Sequence, residues 1–193
     1  MAGGKNALFI KNPSNFLQTH TLMVSPDAHM PDQKIPSPVA EIDMNLLNGP
    51  LHPPSVMMKN YLKVTAKEGV SISAYYLPAI VDNTSTMKIG VGKPYFFTAD
   101  LSGCLFAAYG PSDQDLTVEH VNVRTGAAAV AIGPRIAAIA AAGHAYCKIL
   151  SPIPSASATA TYTTGGNVMG VLNNPVGGWT FHYRVDGQAV AVL

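Results

Sequence analysis

The stretch Phe96-Phe97-Thr98-Ala99-Asp100-Leu101-Ser102-Gly103-Cys104 begins as an aromatic, strand-forming run and ends in a glycine turn that presents one thiol. Two apolar runs follow, 105–109 and 116–123, and the residues between them, Gly110-Pro111-Ser112-Asp113-Gln114-Asp115, are turn formers. This spacing predicts a strand over 95–101 feeding a hairpin whose loop is 110–115. Such a unit belongs to a strand-rich domain. It also carries a hydroxyl at Thr98, a thiol at Cys104 and an imidazole at His120.

The rest of the chain agrees with a strand-rich reading. Hydrophobic residues make up 48% of the 193 and charged ones only 12%, with 17 Gly and 15 Pro, so short strands joined by many turns are expected. The fold class is mainly β, with a minor helical part. The length suits one domain, 1–193, burying roughly two thirds of the surface its unfolded chain would expose.

In chain order, residues 1–35 read as a loop-rich segment wrapped on the core, with short apolar runs between prolines. A strand is expected near 39–47, where Ile42, Met44 and Leu46 alternate. Residues 56–66 suit either strand or helix, and further strands are expected at 70–77 and 84–91. The best helix runs from Pro134 to Gly143, with proline in its first turn, alanine through its body and glycine at its end. Strands are then expected at 145–150, 156–163 and 168–172. A last pair, 179–185 and 188–193, is joined by Asp186-Gly187, a strong hairpin signal.

Charge narrows the partners. Twelve Lys+Arg against 11 Asp+Glu give a net charge of +1, and no run of basic residues offers a track for a phosphate backbone, so no nucleic-acid partner is expected. No membrane span is expected either: the most apolar segment, 126–146, is broken by Gly133, Pro134, Arg135 and Gly143. The first residues have only a short apolar run before Lys11, so no secretory leader is expected. Cys104 and Cys147 read as thiols in a reducing compartment, since a disulfide scaffold of this length would carry more cysteines.

A hairpin that sets Cys104 opposite His120 brings their Cβ atoms to about 5 Å, within reach of a thiolate–imidazolium contact. A slip of one residue turns them to opposite faces. Thr98 shares a strand face with Phe96 and Asp100, and its hydroxyl can accept a hydrogen bond from the second ring nitrogen of His120 and so orient it. Gly103 permits a backbone that a side chain would forbid. The turn of Ser102, Gly103 and Leu105 can aim amide N–H groups at a developing oxyanion. A cysteine beside an imidazolium attacks as thiolate, and an amide substrate then gives a thioester that water hydrolyses.

The run Phe96-Phe97-Thr98-x-x-Leu101-Ser102-Gly103-Cys104 with His120 downstream resembles the LSGC-cysteine glutamine deamidases, the family of the cytotoxic necrotizing factor catalytic domain and Burkholderia lethal factor 1. The resemblance covers about residues 95–123. It implies a β-sandwich of mixed strands with one or two peripheral helices and long loops. It also implies a Cys-His-Thr triad of Cys104 as nucleophile, His120 as base and Thr98 as the third member. By the same resemblance the chain would be a bacterial toxin that converts one glutamine of a host protein to glutamate, in a translation-initiation helicase or a Rho-type GTPase. No cofactor or metal would be needed, and a monomer exported without a Sec leader and acting in the host cytosol is expected. The interval from cysteine to histidine is slightly longer than expected for the lethal factor, and the surplus is expected in residues 111–115.

Other readings stand beside this one. Cys104 could be packing in a non-catalytic β-sandwich binding module, or a nucleophile in another thiol acyl transfer, as in a transglutaminase or a peptidase. His144 and Cys147 form an H-x-x-C pair, too few ligands for a metal site without a second pair. Asp113 and Asp115 suit a solvated loop or an orienter of His120. Trp179 and Tyr95, Phe96 and Phe97 read as core.

Overall fold

Side chains alternate along the strands so that two sheets close on one apolar layer, and that layer defines the architecture. The computed structural model describes residues 5–19, 21–24, 37–46, 55–60, 72–123, 128–173, 177–185 and 190–193. The larger sheet has eight strands in the order β1 (Thr21–Val24), β3 (Ser55–Asn60), β2 (Ser37–Leu46), β4 (Ile72–Leu77), β6 (Tyr95–Thr98), β11 (Gly166–Leu172), β12 (Trp179–Val185) and β13 (Ala191–Val192). The smaller sheet has five, in the order β10 (Ala160–Thr161), β9 (Tyr146–Ser151), β7 (Leu105–Ser112), β8 (Asp115–Asn122) and β5 (Asn83–Ile89). Both are mixed: β1 and β3, β4 and β6, and β9 and β10 run parallel, and the other pairs antiparallel.

Between the sheets lie Tyr75, Leu77, Phe96 and Phe181 from the larger one and Met87, Phe106, Val118 and Leu150 from the smaller. Phe96, Phe106 and Phe181 are fully buried, with ring centroids 5.5–5.9 Å apart. Each such ring contributes roughly 2–3 kcal/mol by its burial. The outer face of the larger sheet is covered by two short helices, α1 (Lys5–Lys11) and α2 (Pro13–Thr19), whose Phe9, Phe16 and Leu17 pack on Tyr76, Phe97 and Met169. The outer face of the smaller sheet is covered by α3 (Ala128–Ala141), through Ile132, Ile136 and Ile139 against Leu105, Ala107, Val121 and Ile149. The fold is thus a β-sandwich flanked by helices.

Several elements differ from the sequence reading. Helices α1 and α2 stand where a loop-rich segment was expected. Seven residues each are too few for a helical period to show, but Phe9 of α1 and Phe16 and Leu17 of α2 are buried in one cluster. Helix α3 begins at Ala128, so Pro134 lies inside it rather than in its first turn, at the cost of one backbone bond that the buried isoleucine stripe offsets. Of 156–163 only Ala160–Thr161 pairs as strand. The hairpin loop is shorter than expected: β7 and β8 continue to Ser112 and Asp115, leaving Asp113 and Gln114 as the turn. The Asp186-Gly187 turn and the remainder of 61–71 lie outside the described residues.

Candidate active site

The LSGC turn is pinned from the larger sheet. Leu101 exchanges both backbone hydrogen bonds with Gly166, at 2.6 and 3.0 Å, and Gly103 takes φ 77°, a left-handed conformation that favours glycine. The chain then enters β7 with Cys104 directed into the layer between the sheets. The Tyr162 hydroxyl donates to the Cys104 carbonyl oxygen at 2.6 Å and holds the turn from the β10 side. Burial, then the nearby Cys104, raise the Tyr162 hydroxyl above its ordinary range. The Cys104 thiol makes a long contact with the Ser102 carbonyl, 3.8 Å, and the residue is 3% exposed.

His120 reaches the same layer through an irregularity in the hairpin. At its tip Ser112 pairs with Asp115, but from Tyr109 onward the partners are Tyr109 and Thr117, Ala108 and Val118, Phe106 and His120. Gly110 and Pro111 therefore oppose the single residue Leu116, a bulge that reverses the facing of every later position on β7 relative to β8. A Cβ on Gly110 would run into the Asp115 carbonyl, so the bulge needs glycine. The residue directly opposite His120 is Phe106, not Cys104. Cys104 stands one diagonal step away on the same face, where Cα atoms are about 7–8 Å apart.

His120 is fully buried, and neither ring nitrogen has a hydrogen-bond partner among the described residues. Burial pushes its pKa down to about 4, so at neutral pH it is an uncharged imidazole, the form that accepts a proton. Thr98 also faces the inter-sheet layer, on the same side of β6 as Phe96, and is fully buried. Its hydroxyl is committed elsewhere: it accepts from the Val168 amide at 3.1 Å and donates to the Val168 carbonyl at 3.4 Å. The fold therefore gathers Cys104, His120 and Thr98 into one layer without a Thr98–His120 bond.

The remaining candidates lie elsewhere. Asp113 is in the hairpin turn and Asp115 at the start of β8, five positions from His120, which is about 16 Å of strand and too far to orient it. Asp115 pairs instead with the exposed Lys88 at 3.6 Å. His144 and Cys147 lie under the α3 side of the smaller sheet: Cys147 pairs with Tyr109 across the ladder, and the His144 ring packs tilted against Tyr109 with centroids 4.6 Å apart. The two thiols thus occupy opposite faces of one sheet. Among the described residues no three His, Cys, Asp or Glu side chains converge to hold a metal, and no helix is long and apolar enough to cross a membrane.

Two polar positions escaped the sequence. Glu119, a lone carboxylate in the run 116–123, is 2% exposed and bonds both Arg135 of α3 and the Tyr109 hydroxyl. Ser85, on β5, pairs directly with His120 across the ladder, is 2% exposed, and has no partner for its hydroxyl among the described residues. Nothing local in Thr84-Ser85-Thr86-Met87 marks that serine. Only the strand pairing does.

Chemically, the arrangement offers a thiol, a neutral imidazole one diagonal step away and a left-handed glycine immediately before the cysteine. Comparison of the chain with family models finds no match, and a search of curated proteins finds no relative.

Proposed function

We propose that the chain is a cysteine-dependent protein-glutamine deamidase, in line with the resemblance of residues 95–123 to the LSGC toxins. The observation that carries this reading is the shared layer of Cys104 and His120, with both imidazole nitrogens unpartnered among the described residues. Fully buried polar atoms are normally bonded, so an orphaned imidazole beside a thiol is a group held ready for a reaction rather than for packing.

In this mechanism His120 takes the thiol proton as Cys104 sulfur attacks the side-chain carbonyl carbon of a glutamine. Backbone amides of the Gly103 turn receive the oxyanion. His120 returns the proton to the departing nitrogen, ammonia leaves, and a thioester remains. Water, deprotonated by His120, attacks the thioester; glutamate leaves and the thiol regains its proton. The glutamine would belong to a host protein and the chain would act as a translocated toxin.

One observation favours a second reading. Cys104 is 3% exposed, which suits a packed cysteine in a non-catalytic binding module. The two separate in one experiment: incubate the protein with a host-cell lysate and search by mass spectrometry for the roughly one-dalton gain of a Gln-to-Glu change, with ammonia release. Deamidation that vanishes with Cys104→Ser supports the enzyme. Its absence supports the module, and amine incorporation or chain cleavage would point to another acyl transfer.

A further inference from the structure

We propose that Ser85 is the residue that positions the His120 imidazole, by accepting a hydrogen bond from one ring nitrogen so that the other faces Cys104. The inference rests on the deamidase reading and fills a role left vacant there, since the Thr98 hydroxyl gives its proton to the Val168 carbonyl, accepts from the Val168 amide, and makes no bond to His120 among the described residues.

Strand β8 lies between β7 and β5 in the smaller sheet, so His120 is flanked by the Cys104 end of β7 on one side and by Ser85 on the other. Ser85 and His120 are direct partners, which sets their Cβ atoms about 5 Å apart. Both side chains enter the inter-sheet layer, Ser85 in line with Met87 and Ile89 on β5, and His120 in line with Leu116 and Val118 on β8. The Ser85 hydroxyl and both ring nitrogens are buried and have no partner among the described residues. Three orphaned polar atoms on two facing side chains are mutually satisfiable by rotation of one hydroxyl and one ring. A thiol, an imidazole and a hydroxyl then lie in a row across three adjacent strands, with the two ring nitrogens turned to opposite neighbours.

The test uses the whole protein with 15N-labelled histidine, in the wild type, Ser85→Ala and Ser85→Thr, reading the ring-nitrogen shifts of His120 at neutral pH. The wild type should show one tautomer, Ser85→Ala a mixture, and Ser85→Thr, which keeps the hydroxyl, the wild-type pattern again. Alkylation of Cys104 should slow about fivefold in Ser85→Ala and recover in Ser85→Thr, the size expected for one neutral hydrogen bond. Ring shifts that are the same in the wild type and Ser85→Ala overturn the proposal. If instead His120→Ala leaves Cys104 alkylation unchanged, the deamidase reading fails by itself, while the ring shifts still decide what Ser85 does.

Discussion

Cys104 and His120 face the same inter-sheet layer because Gly110 and Pro111 together oppose one residue, Leu116. A regular ladder continued from the Ser112–Asp115 pair would have set His120 opposite Ala107, on the face under α3, and separated the imidazole from the thiol by the thickness of the sheet. A single inserted residue thus decides whether the two groups can meet.

That dependence can be tested at Gly110. Gly110→Ala should destabilise the fold by about 1–3 kcal/mol, since its methyl meets the Asp115 carbonyl and the bulge must shift. Urea unfolding followed by the buried Trp179 would measure it, and an unchanged midpoint would mean the bulge is not held by this contact.

Burial of His120 gives stability a pH dependence of known sign. The folded imidazole, pushed down to about 4, binds a proton less readily than the unfolded one near 6.5. Between those values the unfolded chain is the more protonated state. The contribution is therefore complete above about pH 6.5 and lost as pH falls toward about 4. From pH 7 to pH 5 this amounts to about 2 kcal/mol. Burial also pushes His182 down, with the same sign, so the comparison of wild type with His120→Leu isolates the share of His120. The variant should lose less stability over that interval, and an equal loss would refute the assignment.

Glu119 and Arg135 tie α3 to the smaller sheet. Arg135→Ala leaves a buried carboxylate with only the Tyr109 hydroxyl and should cost about 1–3 kcal/mol, below the range for a fully buried pair because the arginine side chain is 40% exposed. Adding Glu119→Gln to that variant should recover much of the loss in a denaturation cycle. Burial, then the Glu119 carboxylate, hold the Tyr109 phenol up at about 12, so Tyr109 should resist ionisation in a spectrophotometric titration at high pH.

Much of the fold was readable from short-range pattern. The alternation of Ile42, Met44 and Leu46 marked β2, and the Gly103 turn stands where the LSGC run predicted it. What failed to show is what depends on partners. Gly110-Pro111 reads as a loop because a bulge uses the same residues as a turn, and only pairing with Leu116 tells them apart. Phe9, Phe16 and Leu17 join one buried cluster only once two seven-residue helices dock on the larger sheet. Of the candidate site, Cys104 and its turn were visible locally, but the sequence left the register open and set Cys104 directly opposite His120, where the bulge puts Phe106. Ser85 was not visible, because its meaning comes from a strand far upstream lying against β8. Nor was the commitment of Thr98, whose partner Val168 is 70 residues away.

The activated thiol is tested most directly by the rates at which iodoacetamide alkylates Cys104 and Cys147 at neutral pH, read by peptide mass spectrometry. Burial alone predicts the reverse of activation, since Cys104 is 3% exposed, whereas Cys147 is half-buried with a pKa raised by that burial against the pull of Lys148. A nucleophile–base pair predicts that Cys104 reacts at least about tenfold faster than Cys147 and loses that advantage in His120→Ala. If Cys104 is the slower thiol, or keeps its rate without the imidazole, the pair is packing and the deamidase account is contradicted.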